Sequence, residues 1–598
     1  MTFLSASSIL ALCLTACAKP VQQRQQQQQS QRDVAGDSPP LLEQFDSLGN
    51  WFDGVSMING SSSLPRRQNA TIAIVGAGVS GLTTGLLLDS VGVHNWELVE
   101  ASDRVGGRFR TVFVGGTDEY AEMGPMRLPY TVTYKSDNST HEYTDHRLTF
   151  DLAEWLNELN GNDPQWKVDF IPWIQHHPNE LSARGTGRHP DGRIPTRAEI
   201  AADPSLGKSP QPVESTDEYK RIKGLMNGIL MNETTMRSMQ RNVWRAHKRA
   251  MDEGLDDWSQ QAMMRNAFHA SEDVTDAIWT ASDYDVFWDE MDHNSNLAQD
   301  GSDSSLGLTE WRCVDGGFNR LSDAFIPHVS DRLSLNRKVT KLESVDGHDG
   351  GSDSKKTRLT WEEGAGEDRS RTSKDYDYTI MAVPFTMTRF MDLPDFSPVL
   401  DRAISEAGLR FKSACKVSLL FSERFWERGE RPIFGGKSEP DSDAVGALYY
   451  PVYGLNETGR PGLITHYRGG DWSDRFVSFT DEAHVSMVLE SIVGLHGEQA
   501  RDLYTGDYAR LCWLQDEHTS TSWCRPDVEQ HKLYIPSYHR TEHNTIFIGE
   551  HTAPTHAWIS SSIHSAVRGS IQLLLELGMV DEAKVLNERW MGRWIGVE

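Results

Sequence analysis

Three glycines near the start of the chain have the spacing that binding of a pyrophosphate requires. Gly76, Gly78 and Gly81 follow an unbroken apolar run and precede a leucine-rich segment. The first glycine permits a tight turn, the second lets backbone N–H groups reach phosphate oxygens, and the third lets a helix pack close to a strand. Glu100 follows about 20 residues later, where a carboxylate accepts hydrogen bonds from ribose hydroxyls. The pattern predicts a dinucleotide site without a 2′-phosphate; a glycine-rich turn in an ordinary βαβ unit is the alternative.

A turn of this kind needs a parallel β-sheet to position it. The apolar run 72–75 predicts a strand covered on both faces, and the leucines after it predict a helix whose positive end faces the phosphates. Two distant segments, 378–384 and 545–550, have the same buried-strand pattern, and a helix is predicted over 561–577. We therefore expect an α/β fold whose nucleotide-binding sheet is assembled from discontinuous parts of the chain.

Two cationic side chains, Lys416 and Arg127, are candidate functional residues. Lys416 stands among apolar residues of a predicted strand, where an ammonium group needs a partner or a wet site. A lysine on the solvent face of the strand is the alternative. Arg127 follows Gly124, Pro125 and Met126, and an arginine fork matches carboxylate or phosphate oxygens. Its alternative is a surface arginine in a loop.

The cysteines predict neither a disulfide scaffold nor a zinc site. Four follow the first 18 residues, at positions Cys313, Cys415, Cys512 and Cys524, and their spacing is unlike that of a metal centre. We therefore predict no metal, and Cys512 with Cys524 as the one plausible bridge.

The composition limits the class of protein and its partners. A chain of 598 residues exceeds what one core can serve, so two or three domains are expected, and 38% hydrophobic residues indicate a globular protein. The formal net charge of −27 argues against nucleic acid and anionic membranes as partners. After the first 18 residues no apolar run is long enough to cross a bilayer, so the mature protein is predicted to be soluble.

The first residues predict a secreted protein. Residues 1–18 are apolar, too short to span a bilayer and end in small residues, as a signal peptide does. A bacterial lipobox that would place a lipid on Cys17 is the alternative. Five glycosylation sequons favour a eukaryotic secretory route, at Asn59, Asn69, Asn138, Asn232 and Asn456.

Four motifs together resemble the L-amino acid oxidases of the flavin amine oxidase superfamily. After Glu100 the sequence ASDRVGGR, which ends at Arg108, resembles that superfamily's E-x(3)-R-x-G-G-R signature. The other three are GPMRLP at 124–129, CKVSLLF with FWE at 415–427, and GEHT through HAWI at 549–559. The resemblance extends from about residue 71 to residue 577 and is weakest in the predicted helical region.

The resemblance implies a role for each candidate residue. It places Arg127 and Tyr467 on the substrate's α-carboxylate, Lys416 beside flavin N5 as the catalytic residue, and Trp558 with Ala557 on the substrate side of the flavin. It implies non-covalent FAD, because covalent members use a cysteine near the last motif and none follows Cys524. The cofactor-binding residues so predicted are Gly76, Gly78, Gly81, Glu100, Arg108, Gly124, Met126, Arg127, Val339, Glu550, Trp558 and Ile559.

The motifs and the resemblance together predict the order of domains. The fold class expected is α/β, with a Rossmann-like FAD-binding domain in discontinuous segments, a mixed-sheet substrate-binding domain and a helical domain. Arg66 and Arg67 form either an exposed basic linker or a processing site. The predicted divisions are a signal peptide at 1–18, a low-complexity extension at 19–65, FAD-binding parts at 66–108, 309–400 and 538–598, substrate-binding parts at 109–165 and 401–537, and a helical domain at 166–308.

The implied reaction is oxidative deamination of an L-amino acid to a 2-oxo acid, with release of ammonia and hydrogen peroxide. Aromatic and large apolar amino acids are the expected substrates, and O₂ is the expected second substrate. The alternatives are an amine or polyamine oxidase, a flavin desaturase and a flavin-binding protein without catalysis. The oligomeric state stays open, with a homodimer among the possibilities.

Overall fold

The computed structural model describes residues 65–278, 286–297, 306–346, 355–363 and 370–592. Outside the described residues lie the predicted signal peptide, the low-complexity extension up to residue 64 and the sequon at Asn59. The sequence also predicts an exposed loop at 301–305 and, from its Gly, Ser and Asp residues, a hairpin tip at 347–355. The loop, and the hairpin tip up to residue 354, lie outside the described residues as well.

The described strands, in chain order, are β1 Ile72–Val75, β2 Trp96–Val99, β3 Thr111–Phe113, β4 Tyr120–Glu122, β5 Leu128–Tyr134, β6 Thr140–Glu142, β7 Phe170–Trp173, β8 Gly307–Val314, β9 Leu333–Ser334, β10 Arg337–Asp346, β11 Lys355–Glu363, β12 Ser370–Tyr376, β13 Tyr378–Met381, β14 Phe411–Lys412, β15 Ala414–Phe421, β16 Lys437–Ser438, β17 Ala447–Tyr449, β18 Gly462–Gly469, β19 Tyr504–Cys512, β20 Trp523–Cys524 and β21 Thr545–Phe547.

The described α-helices are α1 Val79–Ser90, α2 Arg147–Leu159, α3 Arg197–Ala202, α4 Asp217–Leu230, α5 Glu233–Arg241, α6 Val243–Asp252, α7 Gln260–Asn266, α8 Glu272–Ile278, α9 Phe287–Leu297, α10 Asn319–Asp323, α11 Ile326–Val329, α12 Phe385–Thr388, α13 Pro398–Ile404, α14 Asp471–Phe476, α15 Asp481–His496, α16 Gln499–Leu503, α17 Gln530–Tyr538, α18 Ile559–Glu576 and α19 Val580–Asn587.

A parallel sheet of five strands carries the glycine turn. Its order is β21-β13-β1-β2-β9, so strands from three distant parts of the chain lie side by side, as predicted. Every residue of β1, β13 and β21 is buried, since helices α1 and α18 cover one face of the sheet and strands β10 and β11 pack against the other. The predicted C-terminal helix is α18, which packs against α1 and begins two residues earlier than expected.

Two antiparallel sheets form the other side of the molecule. The five-stranded sheet has the order β16-β17-β18-β15-β19, and the four-stranded sheet has the order β6-β5-β8-β7. Because β5 pairs with β8, the segment after the glycine turn is joined to the segment that follows the helices. A third sheet, β10-β11-β12, contains the predicted β10–β11 hairpin.

Helices α3–α9 lie within the region predicted to be helical. Methionines and tryptophans at helical spacing in this region predict core rather than cofactor contacts, and Met226, Met239, Trp244 and Met263 all belong to the largest hydrophobic core of the described residues. Strand β7 also lies within this region and pairs with β8. No described helix is both long and apolar enough to cross a bilayer.

The predicted Cys512–Cys524 bridge is wrong. Cys512 on β19 lies directly opposite Cys415 on β15, and these two residues form the disulfide. Cys524 is a free, buried thiol on β20, which pairs with β14 instead. The register between β15 and β19 decides the pairing, and it joins residues 97 positions apart in the sequence.

Candidate active site

One cavity of about 840 Å³ brings together almost all of the predicted site residues. A volume of this size is within the range of pockets that bind organic ligands. Gly81 alone among the predicted residues is absent from the lining, which contains Gly76, Gly78, Glu100, Arg108, Gly124, Met126, Arg127, Val339, Lys416, Tyr467, Glu550, Ala557, Trp558 and Ile559.

The three glycines meet three different spatial demands. Gly76 has φ of +104°, and a Cβ there would lie 3.0 Å from the carbonyl oxygen of Ala382. A Cβ on Gly81 would lie 2.0 Å from the carbonyl oxygen of Gly76, so helix α1 can approach β1 only because this residue has no side chain. A Cβ on Gly78 would meet no protein atom within 4 Å, because it faces the cavity at the start of α1. The geometry fits a pyrophosphate held at a helix N-terminus.

Glu100 is held in place beside this turn. One carboxylate oxygen accepts a hydrogen bond of 2.7 Å from the N–H of Ala77, and the other accepts from the N–H and the hydroxyl of Ser102, both at 2.8 Å. Three of its about four acceptor positions are therefore used, which leaves capacity for a ribose hydroxyl.

Arg108 and Glu550 form an ion pair in the cavity wall. Arg108 Nη1 donates to Glu550 Oε2 at 3.1 Å and to the carbonyl oxygen of Ser522 at 2.9 Å. The carboxylate of Glu550, 3% exposed, also accepts from the N–H groups of Cys524 and Ala557. Ala557 has a left-handed backbone with φ of +68°, and the bond to Glu550 holds it there. These hydrogen bonds fix the backbone at Ala557, the residue that precedes Trp558.

Arg127 lies among aromatic rings, and no acidic side chain of the described residues pairs with it. Its guanidinium carbon lies 5.2 Å from the ring centre of Trp311, 5.8 Å from that of Tyr449 and 6.0 Å from that of Trp173. Its Nη1 is buried and has no hydrogen-bond partner among the described residues. A buried, unsatisfied cationic donor is expensive unless an anion joins it. The arrangement favours binding of a carboxylate at this point of the cavity.

Lys416 is buried within the wall, and its ammonium group has backbone partners. Nζ donates to the carbonyl oxygens of Glu122 at 2.8 Å and Gly124 at 2.6 Å, and it lies 5.2 Å from the ring of Tyr467. Burial lowers the pKa of Lys416 to about 7, against the opposing charge of Glu122 and with the help of Arg127. The ammonium group therefore loses its proton far more readily than an exposed lysine does.

Sequence reasoning missed the Glu122 side chain. Its Oε1 accepts from the N–H of Phe318 and the hydroxyl of Thr111, while its Oε2 is buried without a partner among the described residues. Burial raises the pKa of Glu122 to about 7, although the charge of Lys416 opposes the rise. The only sequence signal was an acid two residues before the GPMR motif.

Helix α9 contributes polar residues that sequence reasoning also missed. Asp289, Glu290, Asp292 and His293 all line the cavity, and the sequence DEMDH was the available signal. Burial, together with the charges of Asp145 and Asp289, raises the pKa of Asp292 well above its usual range. Desolvation at the cavity wall and the charges of Arg525 and Arg127 lower the pKa of His293 to about 3. The wall therefore combines two neutral groups, Asp292 and His293, with the ionised Asp289 and with Glu290, which pairs with Arg525.

Trp558 connects these parts of the site. Its ring meets that of His146 edge-on at 4.8 Å and lies 6.4 Å from that of Trp311, one of the rings around Arg127. The predicted cofactor and substrate residues thus surround one continuous space.

Comparison with known proteins agrees with this geometry. The profile of the family described as flavin containing amine oxidoreductase matches residues 79–574. The L-amino-acid oxidase of Neurospora crassa is 37% identical over 571 residues, which cover 92% of this chain and 78% of that protein. The L-amino-acid oxidase of Siganus canaliculatus is 27% identical over 541 residues, with 88% and 89% covered.

Solved structures of amine oxidases share the fold. Putrescine oxidase bound to putrescine matches with a TM-score of 0.55 at 16% identity, over 84% of this chain and 99% of that chain. Cyclohexylamine oxidase from Brevibacterium oxydans also gives a TM-score of 0.55 at 16% identity, over 87% and 99%. The chain therefore belongs to the flavin containing amine oxidoreductase family, and it is an FAD-dependent oxidoreductase.

Proposed function

We propose that this chain oxidises L-amino acids to 2-oxo acids, with release of ammonia and hydrogen peroxide. The observation that carries the proposal is the buried Nη1 of Arg127 in the cavity wall, which has no partner in the part of the chain that the structure describes. An amine without a carboxylate would leave this donor unsatisfied, whereas an α-carboxylate pairs with it. The relatives named L-amino-acid oxidase support the same substrate class.

In the proposed mechanism the protein orients the substrate. Arg127 binds the α-carboxylate, and the rings around it exclude water and strengthen the pair. Burial raises the pKa of Tyr467 to about 12, so its hydroxyl stays protonated and donates the second hydrogen bond to the carboxylate. Fixing the carboxylate at two points sets the position of Cα and removes rotational freedom before reaction.

The neutral amine is the form of the substrate that gives up hydride. The charge of Arg127 and the aromatic side chains of Trp558 and Tyr467 in the cavity wall disfavour a second positive charge on the substrate amine. When bound, FAD supplies the two-electron acceptor for this hydride and the means to pass the electrons to O₂. Lys416 Nζ, held at the carbonyl oxygens of Glu122 and Gly124, is placed to hold or release a proton at the cavity wall.

Non-covalent binding of FAD is part of the proposal. Gly76, Gly78 and Arg108 are the groups for the pyrophosphate, Glu100 for the ribose and Val339 for the adenine. Cys524 lines the cavity, but its thiol donates to the carbonyl oxygen of Arg410, and burial raises its pKa well above the usual range. A thiol held in the neutral form is a poor nucleophile for flavin attachment. Acid denaturation should release the flavin into the supernatant; flavin retained on the precipitate would contradict this part.

Peroxide production tests the proposed reaction. Purified holoenzyme should form peroxide and 2-oxo acid from L-phenylalanine and L-leucine, but little from the D-enantiomers or from 2-phenylethylamine. Preference for the amine would favour the amine oxidase alternative. An unsaturated product formed without stoichiometric peroxide would indicate a desaturase, and absence of turnover with every substrate would indicate a flavin-binding protein without catalysis.

We also propose that the protein follows a eukaryotic secretory route and is glycosylated. Asn69, Asn138 and Asn456 are exposed, and Asn232 is half-buried with its carbonyl oxygen capping helix α5. A structural disulfide is typical of oxidising compartments. Enzymatic deglycosylation of protein from the native host should lower its apparent mass. An unshifted band with residues 1–18 still attached, or a lipid on Cys17, would refute this route.

A further inference from the structure

A buried cluster of one aspartate and two histidines lies beside the cavity. Asp289 is on α9, His531 is on α17, and His556 lies in the segment before α18. Asp289 Oδ1 is 3.2 Å from His556 Nδ1, and Asp289 Oδ2 is 3.4 Å from His531 Nε2. Each residue is 6% exposed or less, and one potential ligand atom from each lies within 4.8 Å of the other two.

The histidines of the cluster have the surroundings of metal ligands. His531 turns its second ring nitrogen, Nδ1, toward Nε2 of the buried His247 at 3.3 Å. A metal-ligating histidine almost always has such a partner, which fixes its tautomer and ring orientation. His556 presents its Nδ1 to Asp289, and its Nε2 is buried without a hydrogen-bond partner among the described residues.

We propose that Asp289, His531 and His556 form a binding site for a divalent transition metal ion, with Zn²⁺ as the reference ion. Two nitrogens and one carboxylate oxygen are a ligand set that zinc uses. Tetrahedral bonds of about 2.1 Å separate adjacent ligand atoms by about 3.4 Å, and small side-chain shifts reach that spacing from ligand atoms that already lie within 4.8 Å of one another. Asp289 and His556 line the cavity, so the fourth position faces it and takes water.

The ion would connect three separate parts of the chain. It would hold α9, α17 and the segment leading to Trp558 at one point, and so stabilise the wall of the cavity. The competing arrangement is a protonated His531 that donates to Asp289 and His247 at once, with no metal. Both arrangements fit the same three residues, and metal content distinguishes them without any measurement of turnover.

The first experiment uses full-length holoenzyme without a histidine tag. The protein is incubated with Zn²⁺ or Co²⁺ and dialysed against metal-free buffer, and metal is measured per FAD by plasma mass spectrometry. We expect about one ion per chain, and for Co²⁺ a ligand-field absorption at wavelengths longer than those of the flavin. Metal at buffer background would overturn the proposal and leave the protonated arrangement.

Variants then locate the ion. His531→Asn should abolish retention, and His247→Leu should weaken it roughly 10- to 100-fold because the orienting partner is lost. His466→Leu, a matched change at another buried histidine on β18, should retain the ion fully. Retention unchanged in His531→Asn would overturn the assignment. If that variant does not fold, the affinity of His247→Leu decides, and an affinity equal to the wild type would refute the site.

Discussion

Replacing Arg127 with methionine removes the group on which the proposed substrate class depends. The side chain keeps its length and its packing against the rings of Trp311 and Tyr449, which lie 5.2 and 5.8 Å from the guanidinium carbon. Only the charged fork is lost, so a bound substrate carboxylate remains buried without a partner. Removing one member of a buried, hydrogen-bonded charge pair costs about 3 to 5 kcal/mol. The value of kcat/KM for an L-amino acid should fall by roughly a hundredfold to a few thousandfold.

The assay is initial-rate peroxide formation with L-phenylalanine and with 2-phenylethylamine, the matching amine. The amine should be a poor substrate of the wild type and lose little more in Arg127→Met, because it has no carboxylate to place. Flavin content should be unchanged, since Arg108, which pairs with Glu550 and Ser522, and the glycine turn hold the flavin independently of Arg127. Arg127→Lys should give an intermediate loss, because a point charge replaces a planar fork.

Arg312→Met is the matched control. Arg312 on β8 pairs across the sheet with Leu128, the neighbour of Arg127, and it donates to Glu310 and to the carbonyl oxygen of Trp311, outside the cavity. Its loss should leave kcat/KM within about twofold, an effect of about 0.5 kcal/mol. Near-normal kcat/KM for L-amino acids in Arg127→Met would refute the carboxylate assignment and favour the amine oxidase alternative.

Further predictions concern the cofactor turn, the disulfide and the acid beside Lys416. Gly78→Ala should fold normally and bind FAD more weakly, because the new methyl group enters only the cavity, whereas Gly81→Ala should destabilise the apoprotein by separating α1 from β1. The double variant Cys415→Ala/Cys512→Ala should lose about 4 kcal/mol of unfolding free energy, since the bridge spans 97 positions. For Glu122 the folded pKa of about 7 is raised above the unfolded value, so its contribution to stability is complete below the unfolded pKa and is lost as pH rises through 7. Glu122→Gln should therefore lose less unfolding free energy than the wild type as pH rises from about 5 to 8.

Each of these has a control and a contrary outcome. Equal FAD affinity in Gly78→Ala and the wild type would place the pyrophosphate elsewhere. Cys313→Ala, which removes a buried thiol without a disulfide, should cost clearly less than the double cysteine variant. Glu310→Gln, an exposed change on β8, should leave the pH dependence as in the wild type. Parallel stability curves for Glu122→Gln and the wild type would show that Glu122 is ionised in the fold at neutral pH.

The features that the sequence predicted correctly are local in the chain. The glycine turn, its strand and its helix occupy one continuous segment, and their roles follow from short-range geometry. The buried strands β13 and β21 could also be recognised, because continuous apolar runs identify strands covered on both faces. Because both strands have the same continuous apolar pattern as β1, they could be assigned to the same parallel sheet.

The features that the sequence did not predict depend on register between distant segments. Cys415 meets Cys512 because β15 and β19 are neighbours in a particular register, and no spacing rule contains that information. Glu122 became relevant only when β4 and β15 placed its carboxyl group near Lys416. The polar face of α9 was hidden for another reason, since polar residues on a helix normally face solvent. In this protein the polar residues of α9 face the cavity instead of solvent.

The discontinuous origin of the parallel sheet sets a time at which the cofactor can first be captured during synthesis. Strand β1 emerges early from the ribosome, but its neighbour β13 follows about three hundred residues later and β21 close to the end of the chain. At about 5 to 20 residues per second, translation of 598 residues takes about 30 to 120 s. For nearly all of that time the glycine turn has no complete sheet behind it, and the apolar strand 72–75 lacks its partners. Capture of FAD therefore awaits synthesis of β21, and a nascent chain that ends before residue 545 should not retain the flavin.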